Sequence, residues 1–480
     1  MKKRIILIFA GGIIIGVIMT ITVSCLSWRS PALVVREPET PEEARIEYTP
    51  PPKPRFSVEF LSKYMPILKT LILPRIEKVT DDIYVALGYA LGNVTMIITG
   101  EGVVIIDTTE SKEAAEEVLK KFRKITDKPI RYIIYTHFHP DHILGTEVFY
   151  SEGVEVIATS EFVKWAQSPD RGMGSKYFRR VIATLGGEAE KGYGFSLPVE
   201  SPYRGQFEDA EVVMPTITFQ GKHSFTLGGK RFELFQTSGE TEDHLAVWIP
   251  DERALHIGDL YYMSFPCLTG LMLEARPVIG WINSLTRFIG MRPDHLLLGH
   301  TKTLKGAGLI KEHLTNYREA IRFVYDETMR YIAAGRPVHQ ATAEIRLPDH
   351  LSDLPYLEGL YCRVDWAVRG LYHDYTGWYD GRGTDLISIP PEYRARELVG
   401  LSGGADKILA RAIELQKNDE HQLCAGLCDV VIAANPGDRL AHIIKAHSME
   451  HLAFGSNNLI CIGTYRSAYS IHTKAAAEIE

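Results

Sequence analysis

The heptapeptide Thr136-His137-Phe138-His139-Pro140-Asp141-His142 decides how the rest of this sequence is read. His137 and His139 are two residues apart, so on an extended backbone both imidazoles project to the same side. Pro140 then bends the chain, which lets Asp141 and His142 reach a neighbouring position. Imidazole and carboxylate together bind divalent transition metals and suit zinc, iron and manganese alike.

The flanking residues place the motif in a fold. "IRYIIYT" (130–136) is a short apolar, β-branched run that reads as a buried strand and delivers the chain into His137. Upstream, "DIYVALG" (82–88) and "VTMIITG" (94–100) read as paired strands, and "GVVIIDT" (102–108) as a buried one. Ala114, Val118 and Phe122 recur at helical spacing with Ala115 and Leu119 beside them, the pattern of an amphipathic helix. Downstream, "RFELFQT" (231–237), "LAVWIP" (245–250) and "RALHIGD" (253–259) read as strands, and "HLLLGH" (295–300) ends in another histidine. The expectation is an α/β fold whose ligands gather at strand ends.

The heptapeptide alone leaves a pair of metals short of ligands. His244, Asp259 and His300 each follow an expected strand and complete the set, with one residue bridging and a position left open for water. Metals ~3.5–4 Å apart lower the pKa of bound water and hold both the attacked and the leaving oxygen, so hydrolysis is the expected chemistry. Asp141 is the expected catalytic carboxylate. Glu240 and Glu242 flank His244 and read as solvated loop residues.

With 480 residues, 45% hydrophobic and 24% charged, the chain is an ordinary globular protein of two or three domains. A net charge of −7 and the lack of any basic block argue against a nucleic-acid partner. The scattered cysteines show no C-x-x-C and suggest no disulfide framework; Cys424 and Cys428 read as helix-core residues.

Lys2, Lys3 and Arg4 precede an uncharged run from Ile5 to Val23 that nearly spans a bilayer core at ~1.5 Å per residue. Residues 1–30 are therefore expected to be a membrane anchor or signal. An uncleaved anchor is preferred, and lipidation at Cys25 after "TVS" is the alternative. The basic flank would stay cytoplasmic, leaving the body extracytoplasmic at the cell membrane. Residues 31–55 read as a Pro/Glu-rich linker. Residues 307–334 read as one long helix, and everything past Arg396 as helical. Ile408, Ala412 and Leu415 form one apolar stripe there, and Leu423, Leu427, Val430 and Val431 another.

The ordered ligand set resembles the metallo-β-lactamase superfamily. That resemblance implies an αββα sandwich followed by an all-α helical domain. It places His137, His139 and His244 on one metal, Asp141, His142 and His300 on the other, and Asp259 between them.

"GYALGNVTMI" (88–97), "YTHFHPDHILG" (135–145), "LYHDYTGWYDG" (371–381) and "LSGGADKILARA" (401–412) resemble segments of the bacterial alkylsulfatases of that superfamily. The resemblance runs from about Asp81 almost to the C-terminus. It implies a catalytic domain over 56–345, a helical dimerisation domain over 346–480, a homodimer, two divalent metal ions with zinc expected, and a small anionic or ester substrate.

The chain also departs from those enzymes. His244 and Asp259 stand where alkylsulfatases carry glutamates, and the sterol-carrier-like domain that follows their helical domain is expected to be lacking. In "YYMSFPCLTGLMLEARP" (261–277), Arg276 is the candidate anion clamp, with an ordinary surface ion pair as the alternative.

The resulting expectation is a membrane-anchored dinuclear hydrolase of sulfate esters. The alternative is a hydrolase of another ester, a lactone, a thioester or a β-lactam, which His244 and Asp259 favour. A diiron oxygen-reducing protein of this fold fits less well, because such proteins carry Glu where this chain has His139.

Overall fold

Short apolar runs give the inner strands two buried faces, and in the computed structural model this sorting builds two stacked sheets. The structure describes residues 48–51, 67, 69–71, 73–168, 212–269, 276–379 and 382–479. The expected anchor, and the linker apart from 48–51, lie outside the described residues.

The first sheet has seven strands in sequence order: β1 (Arg75–Lys78), β2 (Ile83–Leu87), β3 (Val94–Ile98), β4 (Val103–Ile106), β5 (Ile130–Ile134), β6 (Glu155–Thr159) and β7 (Ile217–Phe219). Neighbours are antiparallel as far as β4 and parallel from β4 to β7. The second sheet has six: β8 (Lys222–Leu227), β9 (Lys230–Gln236), β10 (Leu245–Ile249), β11 (Ala254–His256), β12 (His295–Leu297) and β13 (Leu304–Lys305), spatially ordered from β13 back to β8. Only β11 and β12 pair in parallel within it.

Helices cover the outer faces. They are α1 (Lys112–Phe122), α2 (Pro140–Ile143), α3 (Thr146–Phe149) and α4 (Ser160–Ala166), then α5 (Val278–Met291) and α6 (Ala307–Ala333). Ser111 caps α1 by accepting a hydrogen bond from the Ala114 amide, and Lys120 and Lys121 face the negative end of its dipole.

Period-two alternation explains the layers. Val85, Leu87, Val104 and Ile106 point inward to meet Phe232, Leu234, Leu245 and Val247 of the second sheet. Ala86, Met96, Ile105 and Ile133 point outward, onto Ala115, Val118 and Phe122 of α1. On the far side, Phe235, Ala246, Leu255 and Leu296 pack against Trp281, Leu285, Leu314 and Tyr317 of α5 and α6. Each such aromatic or branched side chain contributes about 1.5–3 kcal/mol when fully buried. The result is the expected αββα sandwich.

The chain then turns helical, as expected: α7 (Val338–Glu344), α8 (Asp349–Ser352), α9 (Val364–Thr376), α10 (Pro391–Ser402), α11 (Ala405–Lys417), α12 (His421–Ala434), α13 (Arg439–Gly455) and α14 (Leu459–Glu478). Ala341, Leu351, Leu357, Val368 and Leu371 join the core over the second sheet. A separate core holds Ile408, Ala412, Leu415, Cys424, Cys428, Val431 and Ile444.

Two expectations need correction. The buried stripe of α12 is His421, Cys424, Ala425, Cys428 and Val431, and Leu423 is 58% exposed. The stripe anticipated from apolar residues alone was misplaced because small and polar side chains fill the tight inner face. Cys267 and Cys362 are joined in a disulfide across 95 residues, a separation that gives no local spacing signal.

Candidate metal centre

The apolar strand β5 carries the chain to the open edge of the sandwich, and His137 follows three residues after its end. Pro140 occupies the first turn of α2, where its missing N–H costs nothing, and this short helix presents Asp141 and His142. His244 immediately precedes β10, Asp259 follows β11, and His300 follows β12. The heptapeptide and the three distant residues therefore converge at one edge.

The imidazoles of His137 and His139 meet, Nε2 to Nδ1, at 2.8 Å. Asp259 lies between the two donor groups: its Oδ2 is 3.8 Å from His137 Nε2, 3.5 Å from His142 Nε2 and 2.9 Å from His300 Nε2. Asp141 Oδ2 sits 3.3 Å from His300 Nε2 and 3.5 Å from His142 Nε2. Among the described residues, His137, His139 and Asp259 form one cluster whose donor atoms all lie within 4.8 Å of one another, and Asp141, His142 and His300 form another. His244 stands just behind the first, its ring stacked 5.1 Å from that of His137 and its Nε2 accepting from the Asp259 amide at 3.2 Å.

These residues suit divalent cations. His142 Nε2 and Asp259 Oδ1 are buried with no hydrogen-bond partner, an arrangement that costs about 1–3 kcal/mol per group unless a ligand satisfies it. In four of the five histidines the other ring nitrogen is held: His137 Nδ1 by Thr136 Oγ1 (3.0 Å), His142 Nδ1 by Asp107 Oδ2 (2.9 Å), His244 Nδ1 by Thr237 Oγ1 (2.8 Å) and His300 Nδ1 by the Leu91 carbonyl (2.8 Å). Such partners orient metal-binding imidazoles.

Charge in the cluster is split. Burial pushes His137 well below the usual histidine range, His139 to about 4 and His244 to about 3, keeping their lone pairs free. Burial also works against protonation of His142 and His300. There, Asp141 and Asp259 outweigh it, lifting His142 far above the usual value and His300 to about 9. Those charges in turn overcome the burial of Asp141, held at about 2, and of Asp259, held well below the usual carboxylate range.

Small residues make room. A Cβ on Gly299 would fall 2.2 Å from Asp259 Oδ1, and one on Gly258, at φ +49°, would fall 2.5 Å from His244 Nε2. Asp107, Thr109 and Thr301 also hold positive φ around the site. For the β-branched threonines this is a true conformational outlier, of a kind that clusters at functional sites.

The residues missed in the sequence are the orienting ones. Asp107 ends a buried strand, so the strand-end rule that found Asp259 could have found it. Glu240 is not solvated: it is 5% exposed, lies 3.7 Å from His139 and pairs with Arg276. Burial, only partly offset by Arg276, lifts Glu240 to about 8. Arg276 is 7% exposed, so its ion pair belongs to the buried edge of the site and not to the surface.

Residues 87–300 match the metallo-β-lactamase superfamily, and residues 338–474 match the alkyl sulfatase dimerisation family. A linear primary-alkylsulfatase of a Pseudomonas species is 32% identical over 381 residues, covering 76% of this chain and 71% of that protein. An alkyl/aryl-sulfatase of Saccharomyces cerevisiae is 26% identical, covering 82% of this chain and 62% of its own length. Among solved structures, the stereoselective inverting sec-alkylsulfatase Pisa1 from a Pseudomonas species superposes with a TM-score of 0.75 at 20% identity, over 89% of this chain and 74% of that one. At that identity the likeness speaks for the fold. By sequence, the chain belongs to the alkylsulfatases of the metallo-β-lactamase superfamily, a family of metal-dependent hydrolases.

Proposed function

We propose that this protein is a dinuclear metal-dependent hydrolase of sulfate esters, with His137, His139 and His244 on one ion, Asp141, His142 and His300 on the other, and Asp259 shared. The observation that carries the reading is Asp259, whose single Oδ2 lies within 4 Å of donors from both clusters. Zinc is the proposed metal, since imidazole-rich donor sets with carboxylates suit it. Two such ions would lower the pKa of a water and neutralise charge on the leaving oxygen.

The chain's own residues do the positioning. Asp141, ionised and 15% exposed at its side chain, is the carboxylate assigned to orient the incoming water. Arg276 offers a fixed positive charge at the buried edge, where the sulfate of a substrate would compete with Glu240 for it. A water-poor site strengthens that attraction.

The same reading places the body, with catalytic and helical regions divided near residue 345, outside the cytoplasm and tethered by residues 1–30. The Cys267–Cys362 disulfide supports an oxidising compartment. Among the described residues no helix is long and apolar enough to cross a membrane, so the tether rests on the run from Ile5 to Val23. Homodimerisation is supported by the dimerisation-family match and by exposed apolar side chains: Trp378 (69%), Ile387 (80%) and Leu401 (84%).

The test incubates zinc-loaded protein with sodium dodecyl sulfate and, separately, with an acyl-homoserine lactone. Release of inorganic sulfate that stops on chelation supports the proposal. Turnover of the lactone alone favours the second reading, which the histidine and aspartate at positions 244 and 259 support.

A further inference from the structure

The helical region holds a second group of metal-binding side chains that plays no part in the hydrolytic site. Asp419 lies in the turn between α11 and α12, His421 opens α12, and His451 lies on α13. Their donor atoms all lie within 4.8 Å of one another.

His421 supplies the independent observation. It is 7% exposed, yet neither its Nδ1 nor its Nε2 has a hydrogen-bond partner. A neutral imidazole needs both a donor and an acceptor, so burying one with neither satisfied is costly, and native interiors avoid it. The ring stacks on that of His451 at 4.2 Å, and Asp419 Oδ1 lies 3.6 Å from His421 Nε2, beyond hydrogen-bond reach. Asp419 adopts φ +60°, an uncommon conformation that turns the chain back between the two helices. Its side chain is 93% exposed.

We propose that Asp419, His421 and His451 form a structural binding site for a zinc-class divalent ion, separate from the hydrolytic centre. Two imidazoles and a carboxylate are a zinc donor set, and bonds of about 2.0–2.1 Å require the donors to close in on the ion. The ion would satisfy His421 and tie the α11–α12 turn to α13. Burial, reinforced by His451, keeps His421 below the usual histidine range and so a free base at neutral pH.

The test counts zinc in the full chain by mass spectrometry after equilibration with micromolar zinc, comparing the parent with His421→Asn and His451→Asn. The expected result is one equivalent per chain fewer in each variant, with alkyl-sulfate turnover of the loaded variants unchanged. Equal stoichiometry in parent and both variants overturns the proposal. A reciprocal arm uses His137→Ala/His142→Ala, which dismantles the other cluster, and titrates it with cobalt(II). A stoichiometric visible absorption band that Asp419→Asn weakens at least tenfold in affinity supports the site, and no band overturns it. Whether the band forms in this arm does not depend on the folding of the His421 and His451 variants.

Discussion

Asp107 Oδ2 lies 2.9 Å from His142 Nδ1, and both side chains are completely buried. The same carboxylate accepts from the Thr136 amide at 2.8 Å and from Thr136 Oγ1 at 2.9 Å. One side chain thus fixes both the end of β5 and the ring that follows it.

Asp107→Asn keeps the volume and removes the charge. Metal affinity is expected to fall about 10- to 100-fold. Metal titration of the purified variant checks this, and turnover should recover partly at excess metal. Unchanged affinity would show that Asp107 serves packing alone.

Gly299→Ala drives a methyl group into Asp259 Oδ1, 2.2 Å away, and His142 Cε1, 2.9 Å away. A displacement of about 1 Å in a catalytic constellation can cost 10²-fold in rate, and a loss of that order is expected. Gly290→Ala is the control. Nothing lies within 4 Å of its added Cβ near the end of α5, so it should stabilise by about 0.5–1 kcal/mol and leave the rate unchanged.

Arg276→Lys retains the charge and loses the planar fork. The KM for a sulfate monoester should rise about tenfold, roughly 1.4 kcal/mol of binding, with a smaller change in kcat. Steady-state kinetics on sulfate and neutral ester substrates separate the two effects, since the neutral ester should be unaffected. Glu240→Ala, which leaves Arg276 buried without its partner, should cost about 3–5 kcal/mol of stability in urea unfolding.

The disulfide between Cys267 and Cys362 joins the loop beyond Asp259 to the segment before α9. Replacing both by serine should cost about 2–5 kcal/mol. Urea unfolding of the parent under reducing conditions should show a similar loss, and identical curves with and without reductant would count against a formed bond.

Burial lowers His447 and His472 to about 4. A folded-state pKa below the unfolded value of ~6.5 means the fold prefers the neutral ring. That contribution is complete above pH 6.5 and is lost as pH falls towards 4. Helical circular dichroism should therefore melt at a lower temperature at pH 4.5 than at pH 7. His447→Gln should flatten the dependence.

The sandwich was legible because its strands are short β-branched runs and its first helix keeps a clean apolar stripe. The heptapeptide was legible because its donors are contiguous, and His244, Asp259 and His300 because each lies next to a recognisable strand, His244 just before one and the other two after. Thr237 escaped notice because orienting a ring requires only one oxygen, which no spacing announces, whereas Asp107 stood at a strand end and was passed over. The helical site was equally hidden: His421 and His451 meet only because α12 and α13 pack together. Leu423 misled because an apolar side chain on a helix does not by itself say which face is inward.

Asn93 spans the gap between the sheets at the edge where the donors meet. Its side-chain amide donates to the Leu298 and Thr301 carbonyls, each at 2.9 Å, and its backbone N–H donates to the Gly299 carbonyl at 2.8 Å. His137, His139, Asp141 and His142 reach that edge from one sheet, and His244, Asp259 and His300 from the other. Neither layer owns a working constellation. The seam is sewn at the place where the candidate metal donors meet, so a slip of one layer past the other by a single residue would unpick Asn93 and scatter the donors together. On the proposed reading, activity of this protein reports on the alignment of the two layers as directly as any structural probe.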